Sequence, residues 1–199
     1  MTSTAPDDLR MAAIEAAAAK VLGDVPAWIW DGESLPVPVE TIVDTCFGLL
    51  VRDIPEAKLA AVSGAPQLAT GQALSGLLLA GKGEIWVNEA EARKWPTRRR
   101  FTIGHELGHW ILHRDPAGHN VFCRAATVEA DEPVPVLERS PLPMPEAEAN
   151  AFAAALLMPA PLVEAHYRRD GDFHELCRRF GSSGAAMGRR LHRVIPPRG

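Results

Sequence analysis

Two histidines stand four residues apart in "FTIGHELGHW", residues 101–110, with a glutamate directly after the first. On a helix, positions four apart share one face, about one turn along. His105 and His109 therefore present two imidazoles to a single point, a spacing that suits two ligands of a tetrahedral zinc ion. Glu106 is turned about 100° from His105, beside the metal but off the ligand face. From there it can hold a water and take its proton, so the spacing describes a hydrolytic mechanism. Gly108 sits mid-helix, where glycine costs about 1 kcal/mol against alanine, a cost that a close backbone neighbour would justify.

A catalytic zinc usually takes three protein ligands and keeps one open position. His113 extends the series but lies about 12 Å along the helix from His105, too far to share its ion. It reads as a surface residue or as one placed behind a ligand. The better third donor lies in "EAEAN", residues 146–150. Glu146 and Asn150 share a helix face with Ala153 and Leu157, whereas Glu148 points about 160° away from Glu146. With Glu146 as the ligand, Asn150 one turn on can hydrogen-bond a histidine ligand or the backbone near it. Small Ala149 and Ala153 would let this helix approach the motif helix closely. The alternatives are Glu148 as ligand, or Glu146 as a solvated acid at a helix start.

These residues need elements to hold them. Alanine-rich residues 7–22 read as a helix ended by Gly23. A connector follows, in which Trp28 and Trp30 are expected to pin the chain to the core. "VETIVDTCFG" reads as a helix ending at Gly48 and "LLVRDI" as a strand, while residues 55–74 are ambiguous. "SGLLLAGKGEIWVN" reads as a hairpin with a tight turn at "GKG". The motif helix should run from about 98 to 113 with Thr97 as its cap. Arg98, Arg99 and Arg100 sit where cations oppose the helix dipole. They are expected to be solvated or held in ion pairs, the alternative being contact with substrate or with the acidic loop. Residues 114–145 look irregular, with Glu129, Asp131 and Glu132 ahead of five prolines between Pro133 and Pro145. "EAEANAFAAALLM" is a helix stopped by Pro159 and Pro161, and three more helices follow, the last capped by Ser182 or Ser183.

Length and charge bound the reading. The 199 residues are 47% hydrophobic, enough for a real core in one domain, and the net charge of -4 disfavours a general nucleic-acid binder. No apolar run approaches a membrane span, and the polar start does not resemble a secretory signal. Cys46, Cys123 and Cys177 form no C-x-x-C pair and read as reduced thiols of a cytoplasmic protein.

"RRRFTIGHELGHWILH" followed by "EAEANAFAAALLMP" resembles the ImmA/IrrE family of metallo-endopeptidases, over roughly residues 39–195. The resemblance implies an α+β fold of gluzincin type. A small twisted β-sheet packs on the H-E-x-x-H helix and on a glutamate-bearing helix, with helical N- and C-terminal segments. Residues 1–38 would form an N-terminal helix and connector, and 39–199 the metallopeptidase domain, with its core at 39–160 and a C-terminal helical part at 161–195. It implies His105, His109 and Glu146 as ligands of one Zn2+ per chain, or of another divalent metal such as Mn2+, and Glu106 as the base. The implied substrate is a helix-turn-helix repressor of Xre type encoded nearby and cleaved in the bacterial cytoplasm. Direct nucleic-acid or membrane binding is not expected. An oxyanion partner is also needed, with His166, Tyr167 and His174 the candidates. The strand "EIWVN" could pair with an extended substrate. The rival readings are a DNA-binding regulator, from the paired helices in "FHELCRRFGSSGAAMGRRLHRV", and a metal-bound toxin–antitoxin-type partner with little or no proteolysis.

Overall fold

A computed structural model of the chain describes residues 6–62, 72–114, 121–127 and 143–195. Helix α1, Pro6–Gly23, carries Asp7 and Asp8 in its first turn and buries Ile14, Ala18 and Val21. Helix α2, Val39–Phe47, buries Val39, Ile42 and Val43, spaced for one face, and ends at Gly48 in the left-handed region (φ 64°). Strand β1, Leu50–Ile54, and the short helix α3, Glu56–Ala60, follow. Strand β2, Gln72–Leu79, turns through Ala80–Lys82 and Gly83 (φ 64°) into β3, Glu84–Asn88, completing the hairpin. Asn88 closes β3 by accepting from the Ala90 and Glu91 amides, which caps α4, Glu89–Lys94.

Helix α5, Pro96–Leu112, starts earlier than the sequence suggests. Pro96 takes the first helical position, where its fixed φ and missing N–H cost nothing, so Thr97 lies inside the helix and Trp95 stands at the cap. Strand β4, Val121–Thr127, lies within the stretch expected to be irregular, and it pairs antiparallel with β2. The pairing satisfies backbone groups of a strand that would otherwise be a bare edge. Residues 115–120 and 128–142, which hold the acids and most of the prolines of that stretch, lie outside the described residues.

The strand order β1-β3-β2-β4, with β1 parallel to β3, makes the fold α+β. It also places β3 in the interior, bonded along both edges. The expected pairing of "EIWVN" with a substrate strand is thereby excluded, because no row of free backbone groups is left on it.

Helix α6, Met144–Leu157, lies against α5 and α1. The chain then runs through α7, Ala160–Asp170, α8, Phe173–Phe180, and α9, Gly184–Val194, whose cap is Ser183. Arg190 of α9 is buried, with 2% of its surface exposed. It donates to the Met158 carbonyl (2.8 Å) and to both carboxylate oxygens of Glu15 on α1. Of the two tryptophans in the connector only Trp30 is buried, its Nε1 donating to the Ser34 carbonyl at 2.7 Å. Trp28 is 77% exposed, so it does not pin the connector. No described helix is long and apolar enough to cross a membrane.

The core lies on both faces of the sheet. Leu78, Ile85 and Val87 meet the helices, while Leu74 and Leu77 pack with Leu59 of α3. Leu74 and Leu77 differ by an odd number of positions yet belong to one cluster. A register shift between Leu74 and Gly76 in the β2–β4 pairing accounts for it, since an extra residue inverts the alternation beyond it.

Candidate metal centre

Residues 102–109 of α5 are all buried, because the helix packs against β2 and β3 of the sheet and against α6. Its seam with α6 is made of small residues. A Cβ on Gly108 would stand 3.1 Å from the Ala149 Cα and 3.2 Å from the Ala149 carbonyl oxygen. The glycine therefore marks contact between two backbones, the close approach that offsets its propensity cost. One turn earlier, a Cβ on Gly104 would meet Ala153 Cβ at an ordinary 3.5 Å.

This proximity brings Glu146 to the histidines. Its Oε2 lies 3.2 Å from His105 Nε2, its Oε1 3.0 Å from His109 Nε2, and the two Nε2 atoms are 3.0 Å apart. Donors about 2 Å from a common tetrahedral centre stand about 3.3 Å from one another, so these separations suit one ion shared by two imidazoles and a carboxylate. His105, His109 and Glu146 could thus hold a metal. Both histidines are fully buried, while the Glu146 side chain keeps 24% of its surface exposed. Burial by itself would raise the Glu146 pKa. Hydrogen bonds and charge from His105 and His109 outweigh it and lower the carboxyl to about 2, so the donor set carries a negative charge at neutral pH.

The rings are held from behind. His105 Nδ1 meets Asn150 Oδ1 at 3.0 Å, the position the helix phase of Glu146 implies for Asn150. His109 Nδ1 meets His113 Nδ1 at 3.0 Å, and His113 Nε2 reaches Glu148 Oε2 at 2.7 Å. Glu148 is thus engaged with His113 and with Arg10, and is not in the donor cluster.

Glu106 is fully buried and faces the sheet across from Gly76. A Cβ on Gly76 would come within 2.4 Å of Thr102 Cγ2 and 3.2 Å of Glu106 Oε1, so only glycine lets α5 lie this close to β2. The residue before it, Ser75, is buried in the irregular register and accepts from Arg98 Nη2 at 3.0 Å, while Arg98 Nε donates to Glu91 at 2.7 Å. The other two arginines are also structural. Arg99 bridges Glu40 and Asp53, and Arg100 donates to the Val37 carbonyl at 2.7 Å. Gly76, Ser75 and Arg10 went unremarked in the sequence. Only Gly76 left a signal, as an isolated glycine in a strand pattern.

The described contacts of the three oxyanion candidates run among α7 and α8. His166 stacks edge-on against Phe180 and takes a hydrogen bond from Arg169, Tyr167 is 39% exposed, and His174 is exposed beside Phe173.

Comparison with known families agrees with this geometry. The family model for Peptidase M78, described as the IrrE N-terminal-like domain, matches residues 69–192, from the start of β2 to α9. No curated protein matches the chain.

Proposed function

Because the chain belongs to the Peptidase M78 family of IrrE N-terminal-like domains, we propose that it is a zinc-dependent, site-specific endopeptidase. Its substrate in this reading is a helix-turn-helix repressor of Xre type encoded nearby, whose cleavage relieves repression. The observation that carries the reading is the convergence of His105 Nε2, His109 Nε2 and the Glu146 carboxylate at 3.0–3.2 Å, with Glu106 next to the first ligand.

Two imidazoles with one carboxylate suit zinc, and manganese is the alternative that a more oxygen-rich set would favour. Bound there, zinc would lower the pKa of a water toward 7 and polarise the scissile carbonyl. The protein does the rest. Glu106, on the helix that carries both histidines, takes the proton of the attacking water and returns it to the leaving amine. Asn150 holds the His105 ring so that Nε2 faces the cluster. Burial of Glu106 and both histidines leaves their mutual charge interactions less screened than they would be in bulk solvent. An oxyanion donor would complete the site, with His166, Tyr167 and His174 the candidates. A DNA-bound substrate and the free thiols Cys46 and Cys177 support work in the cytoplasm.

The test mixes the zinc-loaded chain with the repressor encoded beside it and follows the repressor by gel and mass spectrometry. Two discrete fragments are expected, absent with a chelator or with His105→Ala. Intact repressor overturns the substrate assignment. Full metal retention by both His105→Ala and His109→Ala overturns the metal centre itself.

A further inference from the structure

We propose that the N-terminal helix α1 is part of the metal centre's support, through a chain in which Arg10, Glu148 and His113 fix the ring of His109. This rests on the reading of His105, His109 and Glu146 as a metal site.

The hydrogen-bond roles along the chain follow from one another. His109 directs Nε2 at the cluster, 3.0 Å from both Glu146 Oε1 and His105 Nε2, so as a ligand it carries its proton on Nδ1. That Nδ1–H faces His113 Nδ1 at 3.0 Å. Two neutral imidazoles cannot both donate across this gap, so His113 accepts and its own proton sits on Nε2. His113 Nε2 then donates to Glu148 Oε2 at 2.7 Å, a charge-assisted bond. The other Glu148 oxygen stands 3.3 Å from Arg10 Nε on α1. Arg10 also reaches the Met144 sulfur, so its guanidinium straddles the first turn of α6.

The His113 and Glu148 side chains are only 13% and 19% exposed, so the carboxylate depends on its partners for the solvation it has lost. The two histidine ligands are thus oriented differently. Asn150 of α6 serves His105 with a neutral amide, whereas His109 is served by a relay that ends on a different helix. Arg10 lies outside residues 69–192, so the support reaches beyond the matched domain. In this relay His113, Glu148 and Arg10 are positioning residues.

The experiment uses the full chain and measures zinc affinity by competition with a chromogenic chelator, with the visible spectrum of the cobalt-substituted protein as a second readout. Thermal melts report the fold. His113→Ala should weaken zinc binding by about 10- to 100-fold, the usual cost of removing a group behind a ligand. Glu148→Gln should weaken it in the same direction. Arg10→Ala, at a side chain 45% exposed, should leave the fold intact and weaken binding by roughly two- to fivefold, as suits a partly solvated pair. In a His113→Ala background, Arg10→Ala should cost nothing more, because the path is already cut. The inference is overturned if Arg10→Ala costs the same factor in both backgrounds. It is overturned alone if all three variants bind zinc like the wild type while His105→Ala does not. A wild-type chain that takes up no metal overturns the metal-site reading, and this inference with it.

Discussion

Glu106 and Glu146 are two carboxylates at one site whose surroundings assign them different tasks. Glu146 lies against both imidazoles and is held ionised, with its carboxyl lowered to about 2. Glu106, on the next residue from His105, faces the sheet and lies outside the donor cluster. Glu106→Gln should therefore retain zinc and fold while losing cleavage by about 10²- to 10⁴-fold, the usual worth of a general base. Cutting at near the wild-type rate by this variant, with His105→Ala dead, would remove Glu106 from the mechanism. Glu146→Gln should lose more zinc affinity than the about 10- to 100-fold expected for a group behind a ligand. A titration in which Glu148→Gln is the weaker binder would exchange the two glutamates' roles. The spacing of these residues was legible because a helix converts sequence separation into direction. The same arithmetic that set Glu146 beside Asn150 put Glu148 on another face. It could not say that Arg10, 138 residues away, would be what Glu148 meets, since nothing local encodes a contact between two helices.

At the scale of elements, the seam between α5 and α6 decides whether the donors meet at all. Gly104 and Gly108 look equivalent in sequence, both in mid-helix and one turn apart, yet they face different clearances. Gly104→Ala should fit at ordinary contact distance and gain up to about 1 kcal/mol of helix propensity. Gly108→Ala gains the same propensity but sets a methyl against the Ala149 backbone, which cannot turn aside as a side chain could. The expected result is a rise in melting temperature for the first and a fall, with weaker zinc binding, for the second. Equal shifts in both would mean that the helices separate without cost. Composition announced α1 and α6, both rich in alanine, while Gly48 and Pro159 marked where α2 and α6 end. It missed β4 because prolines and acids downstream of that strand gave the whole stretch the look of a loop. It also placed the start of α5 late, since Thr97 is a good cap by type but Pro96 had already taken the first turn.

Across the whole molecule, the segments before the sheet are fastened by polar contacts as much as by apolar ones. In the connector between α1 and α2, Asp31 accepts from the Glu33 and Ser34 amides at 2.9 and 2.6 Å and from the Ser34 hydroxyl. Bonds to Ser34, then to the Glu33 amide, lower its pKa from 3.8 to about 2. A carboxylate depressed by folding stabilises above its ordinary value and ceases to as pH falls through the folded one. The Ser34 amide resonance should accordingly titrate with a midpoint near 2, and the step should vanish in Asp31→Asn. A midpoint near 3.8 would show that the carboxylate does not hold the turn. Two tryptophans two residues apart in this connector carried no sign of which would be buried, because irregular backbone has no period to read. The bond between Arg190 and Glu15 joins the first helix to the last across 175 positions. Protein synthesis proceeds from the N-terminal end, so α1 leaves the ribosome long before the residue that secures it exists. Its packing on α6 is direct, so it can form as soon as α6 has been made, and the bond to Arg190 is added later. The contact between Arg10 and Glu148 therefore becomes available to a growing chain once α6 has emerged, and the bond from Arg190 fastens α1 only after that.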